Sequence, residues 1–230
     1  MLVVAACGTG SDDTSVVVSA ASSLAGAFAE IAERFEEANP GITVDLNLGG
    51  SASLREQILG GAAVDVFASA NQATMAPVAD LAVIPPVVFA ANEIELAVPR
   101  GNPGAVRGLS AVGDEGLFVG LCAEPVPCGA LSTELLAAAG VDARPDTVEP
   151  NVRSLVAKLE AGELDVALVY RTDVVSSNGI EAVEHGQGGP FANAYLIAPL
   201  VDSSSALRFV DFVVSPAGQE ILAEYGFAGP

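Results

Sequence analysis

Four short segments of this sequence place small, hydroxyl or amide residues where a strand pattern gives way to a helix pattern. They are Ser22-Ser23 before Leu24, Gly49-Gly50-Ser51 before Leu54, Pro127-Cys128-Gly129 before Leu131, and Asn151-Val152. A helix start offers unpaired backbone N–H groups and a partial positive charge, and serine adds a hydroxyl donor. Such ends bind anions without needing lysine or arginine. Each serine taken alone reads as an ordinary N-cap. Four such turns, two in each half of the chain, point to one shared anion site. Gly49-Gly50-Ser51 lacks the lysine and most of the spacing of a phosphate-cradling loop. Tyr170 closes a strand pattern and brings a phenol donor, with a buried aromatic as the plainer role. Arg153 and Arg171 flank these positions, where added charge beside an anion and a solvated surface role are equal alternatives.

Catalytic chemistry finds little to work with. The chain has a single lysine, Lys158, and a single histidine, His185, which falls in a Gly-rich stretch. Schiff-base catalysis and a multi-histidine metal site are thereby close to excluded. Asp65, Asp165 and Asp173 form no catalytic pair and read as turn and cap residues. No residue is assigned a catalytic role, no cofactor is expected, and no side chains are assigned as ligands to a metal cation.

Nine basic residues face 29 acidic ones, for a formal charge of −20. Such a surface repels nucleic acid and anionic lipid. It also opposes anion binding, unless the anion is held by local dipoles in a dry cleft. Exposed charges are screened beyond about 8–10 Å at physiological salt.

The N-terminal residues Leu2-Val3-Val4-Ala5-Ala6-Cys7-Gly8 read as the end of a bacterial lipoprotein signal, and residues 9–14 as a polar tether. Cys7 is then the lipidated residue, and two acyl chains on it suffice for anchoring. Cys122 and Cys128 remain, flanking a loop with two prolines. In an exported protein a disulfide is the default reading for such a pair. A metal pair and a catalytic thiol are the alternatives, each short of partners: only Glu124 is at hand as a further ligand, and the lone histidine as a base.

To position these turns, strand and helix patterns must alternate, as in layered α/β folds. Residues 15–20, 42–48, 64–68, 117–121, 165–170 and 195–198 read as strands. Leu24, Phe28, Ile31 and Phe35 share one helical face, and Asn39-Pro40-Gly41 ends that helix. Further helices are read at 54–59, 131–139, 152–159 and over the C-terminal patterns, with Gly226 as a stop. Two apolar runs, 87–91 and 94–98, are parted by Asn92-Glu93. The reading is of two lobes. Residues 15–92 plus 196–230 form a discontinuous lobe 1, 93–195 form lobe 2, and the anion site lies between them. At 51% hydrophobic residues the composition supplies the cores, and no apolar run approaches the roughly 20 residues of a membrane span.

Several stretches, in this order and spacing, make the chain resemble the periplasmic molybdate-binding proteins of ABC transporters. They include Ser19-Ala20-Ala21-Ser22-Ser23-Leu24, Gly49-Gly50-Ser51-Ala52-Ser53-Leu54 and Ala63-Val64-Asp65-Val66-Phe67-Ala68. Val126-Pro127-Cys128-Gly129, Asn151-Val152-Arg153, residues 168–173, and Ser215-Pro216-Ala217-Gly218 with Tyr225-Gly226-Phe227 complete the set. The resemblance implies a type II periplasmic-binding-protein fold: two α/β lobes, each a mostly parallel sheet flanked by helices, joined by two crossover strands. It implies a monomer that closes on molybdate or tungstate and hands it to a membrane permease, touching the membrane through its lipid alone. Residue by residue, it places oxyanion-binding hydroxyls at Ser23 (or the adjacent Ser22), Ser51 and Tyr170, and donor amides at Cys128 and Val152. Cys128 stands where a small residue is common, and Asn71 where an acidic one often follows the pair that is Ser69-Ala70 here. Two rivals remain open: a binding protein for sulfate or another tetrahedral oxyanion, and an enzyme on the same architecture.

Overall fold

The computed structural model describes residues 15–186 and 191–230. The lipoprotein signal, the tether and Cys7 lie outside the described residues, as does most of the Gly-rich stretch after His185.

β1 (Ser15–Ala21), β2 (Thr43–Gly49) and β3 (Val66–Ser69) form a parallel trio ordered β2-β1-β3. β5 (Val119–Cys122), β6 (Thr147–Glu149) and β7 (Val166–Tyr170) form a second trio ordered β6-β5-β7. Between the trios run β4 (Val87–Pro99) and β9 (Ala192–Pro199), both antiparallel to their neighbours; β8 (Ile180–Val183) pairs β4 off the main path. The two apolar runs around Asn92-Glu93 are therefore one strand of 13 residues. Its first half, to Glu93, pairs β9, and its second half, from Ile94, pairs β7 and β8. The parallel expectation holds within each trio. β4 and β9 run against the trios, and β4 serves both sheets.

Helix α1 (Ala25–Ala38) forms because Phe28, Ile31 and Phe35 fall on one face and are fully buried, together with Leu24 of the preceding 3-10 turn Ser22–Leu24. It ends where the Asn39 amide donates to the Phe35 carbonyl at 2.8 Å and Gly41 takes φ +96°. With α7 (Ser204–Val214) and α8 (Pro216–Glu224) it covers one face of the first sheet, closing a core that includes Phe28, Phe89 and Phe209. A smaller core, with Leu54, Phe67 and Met75, fills the other face under α2 (Ser51–Leu59) and α3 (Gln72–Met75). A third core holds the second sheet against α4 (Pro127–Ala139) and α5 (Val152–Glu160), with Leu96, Leu135, Leu155 and Leu168 fully buried.

The expected aspartate roles appear as braces. Asp65 accepts the Val17 N–H at 2.7 Å, and Asp165 accepts the Phe118 N–H at 2.8 Å, so each sheet has a carboxylate bracing the start of a parallel pair. Asp173 accepts the Tyr170 N–H at 3.0 Å, holding the start of α6 (Arg171–Ser176). Asn71 is the N-cap of α3, taking the Thr74 N–H at 2.9 Å, which is work an acidic residue also does. Among the described residues, no helix is long and apolar enough to cross a membrane.

Candidate oxyanion site

The carboxyl ends of β1, β2, β5, β6 and β7 all open on one cavity. Its lining includes Ser22, Ser23, Ser51, Cys128, Val152 and Tyr170, so the residues to which the resemblance assigned an oxyanion are at one place. No charged side chain is in the lining. The cavity volume is about 20 Å3, room for a very small ligand. In open α/β sheets such a position, outside the strand ends, is where ligands sit.

The rival role of each serine as a helix cap can be judged by its bonds. Ala21, Gly50 and Val126 occupy the N-cap positions of the first 3-10 turn, α2 and α4, and none of the three ends has a side-chain cap. Ser51 instead uses its Oγ to accept the buried Ala70 N–H at 3.1 Å. Ser23 Oγ lies 2.8 Å from the Tyr195 hydroxyl. Asn151 does cap α5, through the Ser154 N–H at 3.1 Å, and so leaves the Val152 amide untouched. Three uncapped helix starts and one capped by its third amide thus face the same space, with their dipoles converging on it.

Gly50 is where the two sides meet. A Cβ there would fall 2.7 Å from the Pro150 carbonyl, so only hydrogen fits between α2 and α5. Gly129 is as constrained, with a Cβ falling against the Ala123 carbonyl. The disulfide forms: Cys122 at the end of β5 is bonded to Cys128 in the first turn of α4. It ties strand end to helix start across the loop that carries the Cys128 amide.

Behind the lining lies a polar layer that the sequence patterns did not reveal. Asn193 donates to the Tyr170 hydroxyl at 2.7 Å and to the Pro127 carbonyl at 3.1 Å. Asn92 donates to Thr172 at 2.8 Å and, more weakly, to Tyr195 at 3.4 Å. The rings of Tyr170 and Tyr195 meet edge to face with centroids 6.1 Å apart. Burial pushes both phenols well above the ordinary tyrosine range, so they stay protonated and each keeps a hydrogen to donate. Asn193 and Tyr195 alternate on β9, which puts both on one strand face; that period-two relation was the signal available.

The other candidates sit elsewhere. Arg153 lines an adjoining groove that shares Ser22 and Ser23 with the cavity and also includes Asp173. Arg171 is 3.8 Å from Glu93. His185 follows β8 near Glu95 and takes no part in the lining. Among the described residues, no group of three or more His, Cys, Asp or Glu is placed to hold a metal ion.

A family model for bacterial extracellular solute-binding proteins matches residues 16–228. The chain belongs to that family. This solute-binding protein is 36% identical to the molybdate-binding protein ModA of Mycobacterium tuberculosis, over 94% of the chain and 85% of the relative. It is 27% identical to the ABC transporter substrate-binding lipoprotein YvgL of Bacillus subtilis, over 98% and 93%. Among solved structures, a substrate-binding domain of a molybdenum ABC transporter from Clostridium difficile matches with TM-score 0.70 at 25% identity, over 94% and 99%. The periplasmic molybdate-binding protein of Azotobacter vinelandii matches with TM-score 0.80 at 17% identity, over 94% and 99%, which speaks to the fold. The resemblance drawn from the short motifs, and the periplasmic-binding-protein fold it implied, are both borne out by this solute-binding protein.

Proposed function

We propose that this protein captures molybdate, and with it tungstate, outside the cytoplasm and delivers it to the permease of an ABC transporter. The observation that carries the reading is the donor set. Hydroxyls of Ser23, Ser51 and Tyr170 and the amides of Cys128 and Val152 surround a cavity with no charged side chain in its lining. Neutral donors and helix dipoles stabilise a dianion at short range while the distant negative charges are screened. The small volume favours a compact inorganic ion over a sugar or an organic phosphate ester. The likeness to ModA relatives supports molybdate among such ions.

The donors also set what is refused. Hydrogen phosphate would bring a proton that needs an acceptor, while the proposed set turns hydrogens toward the ion and the lining holds no carboxylate to receive one. Leaving a polar hydrogen unpaired in a buried site costs about 1–3 kcal/mol. Sulfate carries the right charge, so its refusal rests on size. Within this reading the protein binds and releases without turnover, acts as a monomer, and is anchored by lipid on Cys7. Lobe closure about β4 and β9 traps the ion.

Thermal unfolding against molybdate, tungstate, sulfate, phosphate and vanadate tests it. Ligand at a thousand times its dissociation constant adds about 4 kcal/mol. For a chain of this length that is a shift on the order of 10 °C. The expected result is a large shift with molybdate and tungstate and little with sulfate or phosphate. A larger shift with sulfate would reassign the ligand, and no shift with any oxyanion would end the reading.

A further inference from the structure

Asn193 is not among the residues that line the cavity, yet its one amide nitrogen reaches two that do. Nδ2 is 3.1 Å from the Pro127 carbonyl and 2.7 Å from the Tyr170 hydroxyl. The first contact fixes the second. A carbonyl oxygen can only accept, so the atom facing Pro127 must be the NH2 group, whichever way the amide is drawn. That group has two hydrogens and no lone pair to offer, so Tyr170 must accept from it. A phenol has one proton. With its oxygen accepting from Asn193, that proton goes either to the cavity or to the neighbouring Tyr195 oxygen. The Tyr195 hydroxyl in turn meets Ser23 at 2.8 Å. Either route delivers hydrogen, not lone pairs, to the anion.

On the reading above that the cavity holds an oxyanion, we propose that Asn193 is a positioning residue that sets the polarity of the site, making Tyr170 a donor to the ligand and so excluding oxyanions that carry a proton. Asn193 lies on crossover strand β9, opposite Asn92 of β4, and reaches the end of β7 through Tyr170 and the start of α4 through Pro127. The Pro127 carbonyl holds the amide in place, and the amide in turn fixes the phenol of Tyr170.

The test is a double-mutant cycle read by calorimetric titration with molybdate, using wild type, Asn193→Ala, Tyr170→Phe and the double variant. Asn193→Ala should weaken binding about tenfold where Tyr170 is present and less than about twofold in the Tyr170→Phe background. Equal losses in both backgrounds would mean a general structural role and overturn the proposal. A second variant, Asn193→Asp, keeps the shape and reverses the polarity, since the carboxylate draws the Tyr170 proton to itself. It should weaken molybdate binding and raise the ratio of phosphate to molybdate affinity about tenfold near neutral pH. An unchanged ratio would overturn the proposal even if Asn193→Ala does not fold. If the wild type binds no oxyanion, the capture reading fails and this inference with it. If the wild type binds molybdate and the cycle is additive, only the role of Asn193 falls.

Discussion

The hydroxyl oxygen of Ser51 accepts the backbone N–H of Ala70 at 3.1 Å, although Ser51 opens a helix and is buried. Gly50, not Ser51, holds the N-cap position of α2, so the serine hydroxyl is not committed to capping its own helix. Here the amide just past the end of β3 takes one lone pair of the oxygen, and the hydroxyl keeps its proton to donate. Ser51→Ala should cost about 1–3 kcal/mol of stability without ligand, because the Ala70 N–H loses its acceptor. It should also weaken molybdate binding by roughly tenfold or more, the range for a bond to a charged group. Chemical denaturation and titration on the same preparation separate the two effects; intact affinity would remove Ser51 from the site.

Gly50 makes a sharper probe of closure. Its φ of −64° suits any residue, so alanine costs the backbone nothing. The obstacle is across the cleft, where the new methyl would fall 2.7 Å from the Pro150 carbonyl. Gly50→Ala should leave the ligand-free melting temperature within a few degrees, consistent with ordinary surface changes of about 0.5 kcal/mol. It should weaken ligand binding and leave the molecule more open in solution scattering at saturating molybdate. Wild-type compaction in the variant would show that the approach of α2 to α5 does not limit closure.

Reduction of the Cys122–Cys128 bridge should register twice. The bridge closes a short loop, with a sequence separation of 6, and its loss costs about 2 kcal/mol in the chain-entropy account. It also frees the start of α4, so the Cys128 amide must be ordered at the moment of binding. A Cys122→Ser, Cys128→Ser variant should melt lower and bind molybdate more weakly. Equal affinity with a lower melting point would confine the bridge to stability.

Asp173 gives the molecule a pH dependence of known sign. Its carboxyl is enclosed although the residue keeps some surface at the groove, and burial raises it from 3.8 to about 7, with the Tyr170 N–H and Arg153 pulling the other way. The folded state thus holds a proton that the unfolded chain would release. This contribution is fully present below pH 3.8 and is lost as pH rises through about 7. Asp173→Asn retains an oxygen for the Tyr170 N–H and should flatten that part of the stability curve. Urea midpoints across this window would show it, and parallel curves for variant and wild type would refute it.

Much of the architecture was legible because burial writes periodicity into sequence. Phe28, Ile31 and Phe35 spell one face of α1, and strand turns mark the ends where Ser51 and Val152 lie. The continuity of β4 was harder to see, since Asn92-Glu93 interrupts its apolar pattern where the strand passes from one sheet to the other. β6 and β8 are short and only partly buried, so they carry little signal. At the site, hydroxyls and helix starts announce themselves by type and spacing. Asn193 and Tyr195 do not: their partners are far along the chain, and an asparagine in a strand states nothing about which distant phenol it faces.

The strand order also dictates when each sheet can exist. The second sheet draws every strand from the continuous stretch between Ile94 and Val183, so its pairings span less of the chain than those that β9 makes with β3 and β4. The first sheet sets β9 between β3 and β4, and β9 comes only after the whole second sheet has passed. Loop-closure entropy makes such distant pairings late events. A chain emerging in order from a translocation channel therefore completes its second sheet while β1, β2 and β3 still wait for the strand that joins them to β4. The surface of β3 that β9 will cover stays open longest, and it is there that a folding helper has most to protect.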